Sequence, residues 1–266
     1  MGGHSYIQDG KLIVTHNAGF FSCCSVKLSE IISYFNEHGK IPVSVDSSNQ
    51  LNSYKSSDIY NIENYLYTIR DDVNIEYVEA VKYHHDDQFS EYRNIDYKSL
   101  APFIEKYFTT SERVEEYVKH LETKYSIDYE NTVAVYYRGN DKCKETTIAS
   151  YDEFFDKCKE IREINKNCKF FVQTDELEFR EEFCKNFNNC FFMDELPVIS
   201  KNCELVMHKL IDVNHRPEFA VRILSVTKII SKCKFIITHT GNCGIWTVLY
   251  RNNSDGVHQY RNNIWT

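Results

Sequence analysis

The feature that most limits what this chain can fold into is a set of short apolar runs that stop abruptly at polar clusters. In "VAVYYRGNDKCKE" the apolar and aromatic residues 133–137 give way at once to Arg138, Gly139, Asn140, Asp141 and Lys142. Val and Tyr suit a pleated, buried strand, so the run reads as a strand that delivers charge to its carboxyl end. The pattern recurs at His16-Asn17, at Asp46-Ser47-Ser48, at His84-His85-Asp86-Asp87, at Thr174-Asp175-Glu176 and from Thr238 to Asn242. Between these runs lie segments of helical period, such as "VKLSEIISYFNEH", where Leu28, Ile31, Ile32 and Phe35 share one face. Strand and helix in alternation predict an α/β fold with parallel sheets. The expected architecture is two Rossmann-like lobes facing a cleft, since open α/β sheets bind ligands at the carboxyl ends of their strands.

The first series predicts strands over 11–16, 41–48 and 73–81. Its first helix has Ser25 as N-cap and Gly39 as stop, and two more helices follow near 99–107 and 111–125. The second series predicts strands from 133, 168, 190 and 234, with helices between them and a last helix over 243–251. The division falls near residue 128, giving lobes 1–128 and 129–266.

Composition removes several classes. A net charge of −8 disfavours nucleic acid as a partner, and no apolar run approaches the length that spans a bilayer. The first residues lack the basic-then-apolar pattern of a signal peptide. None of the ten cysteines forms a C-x-x-C pair, so zinc is not expected, and reduced thiols in a cytosolic compartment are. Aromatic residues make up 14% of the chain; nucleotide composition bias explains this, and so does a sugar-handling surface, whose rings pack on pyranose C–H groups. The dinucleotide and P-loop fingerprints are missing, which makes the chain a poor candidate for those enzymes.

The strand-end residues suit a phosphorylated ligand. Arg138 offers a planar fork of donors to a diphosphate, Gly139 permits close backbone approach, and Lys142 adds a point charge. Asp141 either orients Arg138 or meets a ribose or sugar hydroxyl; an Arg138–Asp141 ion pair with nothing bound is the plain alternative. Thr174 and Asp175 can meet a nucleobase or ribose. Thr238, His239, Thr240, Gly241 and Asn242 precede a helix whose free N–H groups can take a phosphate.

"YYRGNDK", "FFVQTDE" and "IITHTGNCGIW", in that order, resemble the donor-binding half of the α-1,6- and protein O-fucosyltransferase superfamily over roughly residues 130–252. The resemblance implies a two-lobe (GT-B type) glycosyltransferase with its donor in the second lobe and acceptor in the first. It matches Arg138 to the residue that binds the donor β-phosphate, Asp141 and Lys142 to the Asp-Lys pair, and Asp175 to the acid near the nucleoside. Thr238 and Thr240 fall in the phosphate-side hydroxyl loop. Tyr136 replaces the motif's His and Gly139 its second Arg, which leaves GDP-fucose open as donor. "GFFSCCSVKL" and "VDSSNQ" are similar instead to viral and algal glycosyltransferases that include a capsid N-glycan xylosyltransferase, which implies UDP-xylose.

With no D-x-D in the chain, protein cations and helix N-termini are expected to neutralise the departing diphosphate without a metal. An inverting transfer also needs a base from the first lobe. Asp86, Asp87, His16 and Asp46 are the candidates, with the first two favoured, and Asn17, Phe20, Phe21, Asp46 and His85 are expected at the acceptor. A metal on the His84–Asp87 run is disfavoured because neighbours on an extended segment point to opposite faces. A binding module that kept the cleft but lost the base is the second reading.

Overall fold

The computed structural model describes residues 4–57, 61–140, 142–201 and 211–266, and for Cys143 the backbone only. Asp141 and Cys203 lie outside the described residues. The chain opens with a hairpin, β1 (Ser5–Gln8) and β2 (Lys11–Val14), turned by Asp9 and Gly10 at φ 51° and 76°. Helix α1 (Phe20–His38) then crosses to β3 (Ser44–Asp46), which pairs parallel with β2. This is the β-α-β unit expected before residue 50. Gly39 closes α1 at φ 65°, donating its N–H to the Phe35 carbonyl, but the helix begins five residues before Ser25. Its N-cap is Gly19, and Ser25 is an interior residue facing other helices.

The short α2 (Ile62–Leu66) precedes an error in the sequence reading. Residues 73–81 form no strand. They run over the surface with Val78 86% exposed, and Val81 is tied to the Asn36 side chain by two bonds of 2.8 Å. Their β-branched residues satisfy the pattern, but no neighbouring strand takes up their backbone groups, and a strand needs one. Helices α3 (Tyr97–Phe108) and α4 (Glu112–Tyr125) fall where periodicity put them.

The second half carries β4 (Thr132–Tyr137), α5 (Tyr151–Ile164), β5 (Lys169–Thr174), α6 (Leu177–Asn186), β6 (Cys190–Phe191), α7 (Arg216–Lys232), β7 (Phe235–His239) and α8 (Asn242–Arg251). Two further strands, β8 (Val257–Arg261) and β9 (Ile264–Trp265), were not legible as strands. The sheet order is β6-β5-β4-β7-β8-β9, parallel except at β8–β9. From β4 the chain moves outward to β6, then returns to β7 on the other side. The β4–β7 boundary is therefore a topological switch point, where such sheets open a crevice.

The two faces of this sheet bury different cores. Val133, Val135 and Tyr137 of β4 face α5 and α6 in one cluster, while Ala134 and Tyr136 face α7, α8 and the first half in another. The second cluster is continuous from Leu12 to Leu249, with Trp246 fully buried between Phe21 and Phe108. Burying one large apolar side chain contributes roughly 1.5–3 kcal/mol, so α7 and α8 hold the first half to the sheet firmly. Among the described residues no helix is long and apolar enough to cross a membrane.

Candidate active site

A cavity of about 450 Å³ opens at the switch point. The ends of β4, β5 and β7, the start of α8 and the loop leading into α1 form its wall. Strand register decides which polar residues meet there. Tyr137 pairs with Thr174 and Tyr136 with Thr238, so Arg138, Asp175 and Thr240 emerge side by side, with His239 one residue back beside Tyr137.

Arg138 is held by Asp175, whose Oδ2 accepts from Nε at 2.7 Å and whose Oδ1 accepts from the Gly139 N–H at 3.0 Å. The Asn140 side chain donates to the Asp175 carbonyl at 2.8 Å. Asp175 is buried, and both of its carboxylate oxygens already anchor the Arg138–Gly139 turn. Asp141, the local partner considered for Arg138, lies outside the described residues, and the partner described is on the adjacent strand, 37 positions away. Arg138 Nη1 lies 3.1 Å from Cys243 Sγ in α8, and both residues line the cavity.

Two glycines are required by contact. A Cβ on Gly139 would strike the Glu176 carboxylate and lie 2.6 Å from the Tyr137 ring; the motif's second Arg cannot stand there. Glu176 is fully buried, bonded to the Tyr151 hydroxyl, and burial raises its pKa against the opposing pull of Lys201. Gly241, at φ 140°, lies under the Lys142 side chain, where a Cβ would collide. Lys142 lines the cavity and is ion-paired to Glu145.

His239 is buried, and its Nε2 accepts from the Ala149 N–H at 3.1 Å. Burial first, then the charges of Lys142 and Arg138, push its pKa down to about 3. The ring is neutral and its proton sits on Nδ1, which has no hydrogen-bond partner among the described residues. Gln88 Oε1 and Gln173 Oε1 are likewise buried without a partner there, and all three residues line the cavity. Buried polar atoms are normally satisfied, so these three leave hydrogen-bonding capacity around one cavity that water or a polar ligand can take up.

Other expected residues are already engaged. The Thr240 hydroxyl donates to the Tyr260 carbonyl and accepts from Gln259 Nε2. Thr238 Oγ1 reaches the His239 carbonyl, and Thr174 Oγ1 accepts from the Glu176 N–H. Asn242 Oδ1 accepts from Ser25 Oγ at 2.7 Å, and Ser25 in turn accepts from Trp246 Nε1 at 2.8 Å. These four shape the wall; the open donors are the backbone N–H groups of the first turn of α8.

The opposite wall is aromatic. Phe20, Phe21, Tyr54, Tyr136 and Phe219 line it, and Phe20 N–H donates to the Tyr54 hydroxyl at 3.1 Å. Of the residues expected at the acceptor, Phe20 and Phe21 are on this wall. Asn17 binds the Asn52 N–H on the surface. Asp46 accepts from the Ser48 N–H and lines a separate cavity.

The favoured bases are displaced. Residues His85–Phe89 form a 3₁₀ turn in which Asp87 accepts from the His84 N–H and from Ser90 Oγ, while Asp86 faces His84 and His85 at 3.3 and 3.7 Å. Neither carboxylate lines the cavity; Gln88, from the same turn, does. The turn also overturns the objection to a metal there. It is not extended, and the ligand atoms of His84, His85 and Asp86 lie within 4.8 Å of one another. His16 sits behind the wall, its Nε2 3.0 Å from Ser22 Oγ.

Sequence reasoning missed Gln88, Gln173, Ser22, Tyr54 and Cys243 as wall residues. Gln173 and Ser22 stand inside quoted stretches and Gln88 directly follows the His84–Asp87 run, so nearness to those stretches was signal enough. Phe219, on α7, had none, because a cavity-facing aromatic and a core aromatic look alike in one sequence.

No protein-family model matches the chain, and no curated protein matches its sequence. Solved structures do. Fucosyltransferase NodZ from Bradyrhizobium aligns over 98% of both chains at 10% identity with a TM-score of 0.58. This is an α/β, GT-B-like fold. The selenomethionine form of NodZ gives 11% identity and a TM-score of 0.55, again over 98% of both chains. Against NodZ α-1,6-fucosyltransferase co-crystallised with GDP, the match spans 59% of this chain and 47% of the other, at 13% identity and a TM-score of 0.39. That alignment, which spans about half of its partner, bears no part of the fold assignment.

Proposed function

We propose that this protein is an inverting glycosyltransferase that moves a sugar from a nucleoside-diphosphate sugar to a glycan hydroxyl. The observation that carries the reading is Arg138, fixed by Asp175 at the switch point, on the wall of a cavity where Gln88, Gln173 and His239 each keep a buried polar atom without a partner among the described residues. Arg138, Lys142 and the first turn of α8 face the diphosphate and stabilise the charge that develops as it leaves. Those protein groups do this without a metal. Gln173 and the turn held by Asp175 lie on the nucleoside side, and the aromatic wall packs against the sugars. In this reading residues 129–266 bind the donor and residues 1–128 present the acceptor. GDP-fucose and UDP-xylose are the donors; the likeness in fold to a protein named a fucosyltransferase supports the first.

Thermal-shift measurements with GDP, UDP and their sugars test this directly. A rise in melting temperature with one nucleotide and its sugar is expected, and no shift with any of them would sink the reading. Arg138→Ala should weaken binding of that nucleotide about tenfold to a hundredfold, the worth of a charge-assisted contact; isothermal titration reads it. One observation favours a second reading, a binding module without turnover. Among the described residues the cavity wall carries two carboxylates, Asp175 and Glu145, and both hold cations. Slow release of free sugar from the donor in water would decide for the enzyme.

A further inference from the structure

A hydroxyl that attacks an anomeric carbon must lose its proton, and neither wall carboxylate is placed to take it. Ser22 offers another route. It stands in the first turn of α1, on the cavity wall, with its Oγ 3.0 Å from His16 Nε2. His16, two residues past the end of β2, does not itself line the cavity. From this geometry we infer that the acceptor hydroxyl passes its proton to Ser22 Oγ while the serine's own proton moves to His16 Nε2. The inference rests on the reading of the cavity as a glycosyl-transfer site.

The step balances. The acceptor oxygen bonds to the anomeric carbon as the carbon–oxygen bond to the diphosphate breaks, and that electron pair leaves with the diphosphate. Ser22 loses one proton and gains one. His16 becomes an imidazolium and later returns the proton to solvent. For this its ring must start neutral, with Nδ1 protonated and Nε2 accepting.

The surroundings favour that state. The His4 ring packs edge-on against His16, with centroids 4.8 Å apart, and also approaches His85 at 5.7 Å. His84 and Asp86 lie beyond His85, and Glu30 acts on His85 from α1. Partial burial and then the like charges of His4 and His85 lower the His16 pKa. A cluster of imidazoles thus keeps its innermost member free of a proton at neutral pH.

The test follows nucleotide release from GDP-fucose or UDP-xylose, whichever stabilises the protein, with water as acceptor. It runs over the pH range in which circular dichroism is constant. Ser22→Ala and His16→Gln should each lower kcat about a hundredfold or more, within the usual range for general base catalysis, with nucleotide affinity unchanged. Wild-type turnover should fall on the acid side with a single limb. His85→Gln should move that limb to higher pH, because removing a like charge raises the His16 pKa. Retained kcat in either wall variant, or a limb that stays put in His85→Gln, would overturn the relay. Stabilisation by a nucleotide sugar without turnover would overturn it too, while leaving the cavity a nucleotide-sugar site. If no nucleotide stabilised the protein, the underlying reading would fall with it.

Discussion

Asp175 illustrates how one carboxylate can set the shape of a site without presenting itself to a ligand. It fixes the Arg138 side chain and the Gly139 backbone together, so the guanidinium is held at the wall before anything binds. Asp175→Asn keeps the volume but loses the charge. With Arg138 about a quarter exposed, solvent softens the loss, and a cost of about 1–3 kcal/mol is expected. Urea denaturation would measure it, and an unchanged midpoint would deny Asp175 its anchoring role. Arg138 was legible in the sequence because a buried strand leads straight into it. Its partner was not, because pairing between β4 and β5 is a matter of register, and no local pattern encodes register across 37 positions. The same limit hid the engagement of Thr240, whose hydroxyl looked free until β8 was placed beside β7.

At the scale of elements, the meeting of α1 and α8 determines the cavity. Ser25 bonds the half-buried Asn242 on one side and the fully buried Trp246 on the other. Ser25→Ala leaves the Trp246 N–H and the Asn242 oxygen without that partner. A loss of about 1–3 kcal/mol is expected, with weaker nucleotide binding because the first turn of α8 loosens. Thermal unfolding and nucleotide titration on one preparation would read both, and stability equal to wild type would count against this bridge. The helices themselves were plain from their periodicity and from Gly39. Residues 73–81 misled because β-branched content reports a preference for extended backbone, while strand formation also demands an edge to pair with. The terminal β8 and β9 were missed for the opposite reason: polar residues interrupt them, and burial of Gln259 and Tyr260 comes from tertiary packing.

For the whole molecule, acid should be the weak side. His239, His16, His85 and His258 all have pKa values lowered chiefly by burial. Between the folded and unfolded pKa of each, the unfolded chain binds the extra proton, so stability falls as pH drops through that window. For His239 the window runs from about 6.5 down to about 3, at up to about 1.4 kcal/mol per pH unit. Melting temperatures between pH 7 and 4 should decline, and less steeply in His239→Gln; parallel curves would contradict the assignment. The α/β class and the gathering of polar residues at strand ends were readable from the chain alone. That one apolar cluster would join both halves was not, since it arises from α7 and α8 turning back over the first half.

That bridging has a consequence for synthesis. The pocket is closed by contacts between positions 25 and 242, 217 residues apart. A ribosome delivering this chain releases α1 long before α8. Until α8 clears the exit tunnel, the nascent protein has no complete cavity at the switch point.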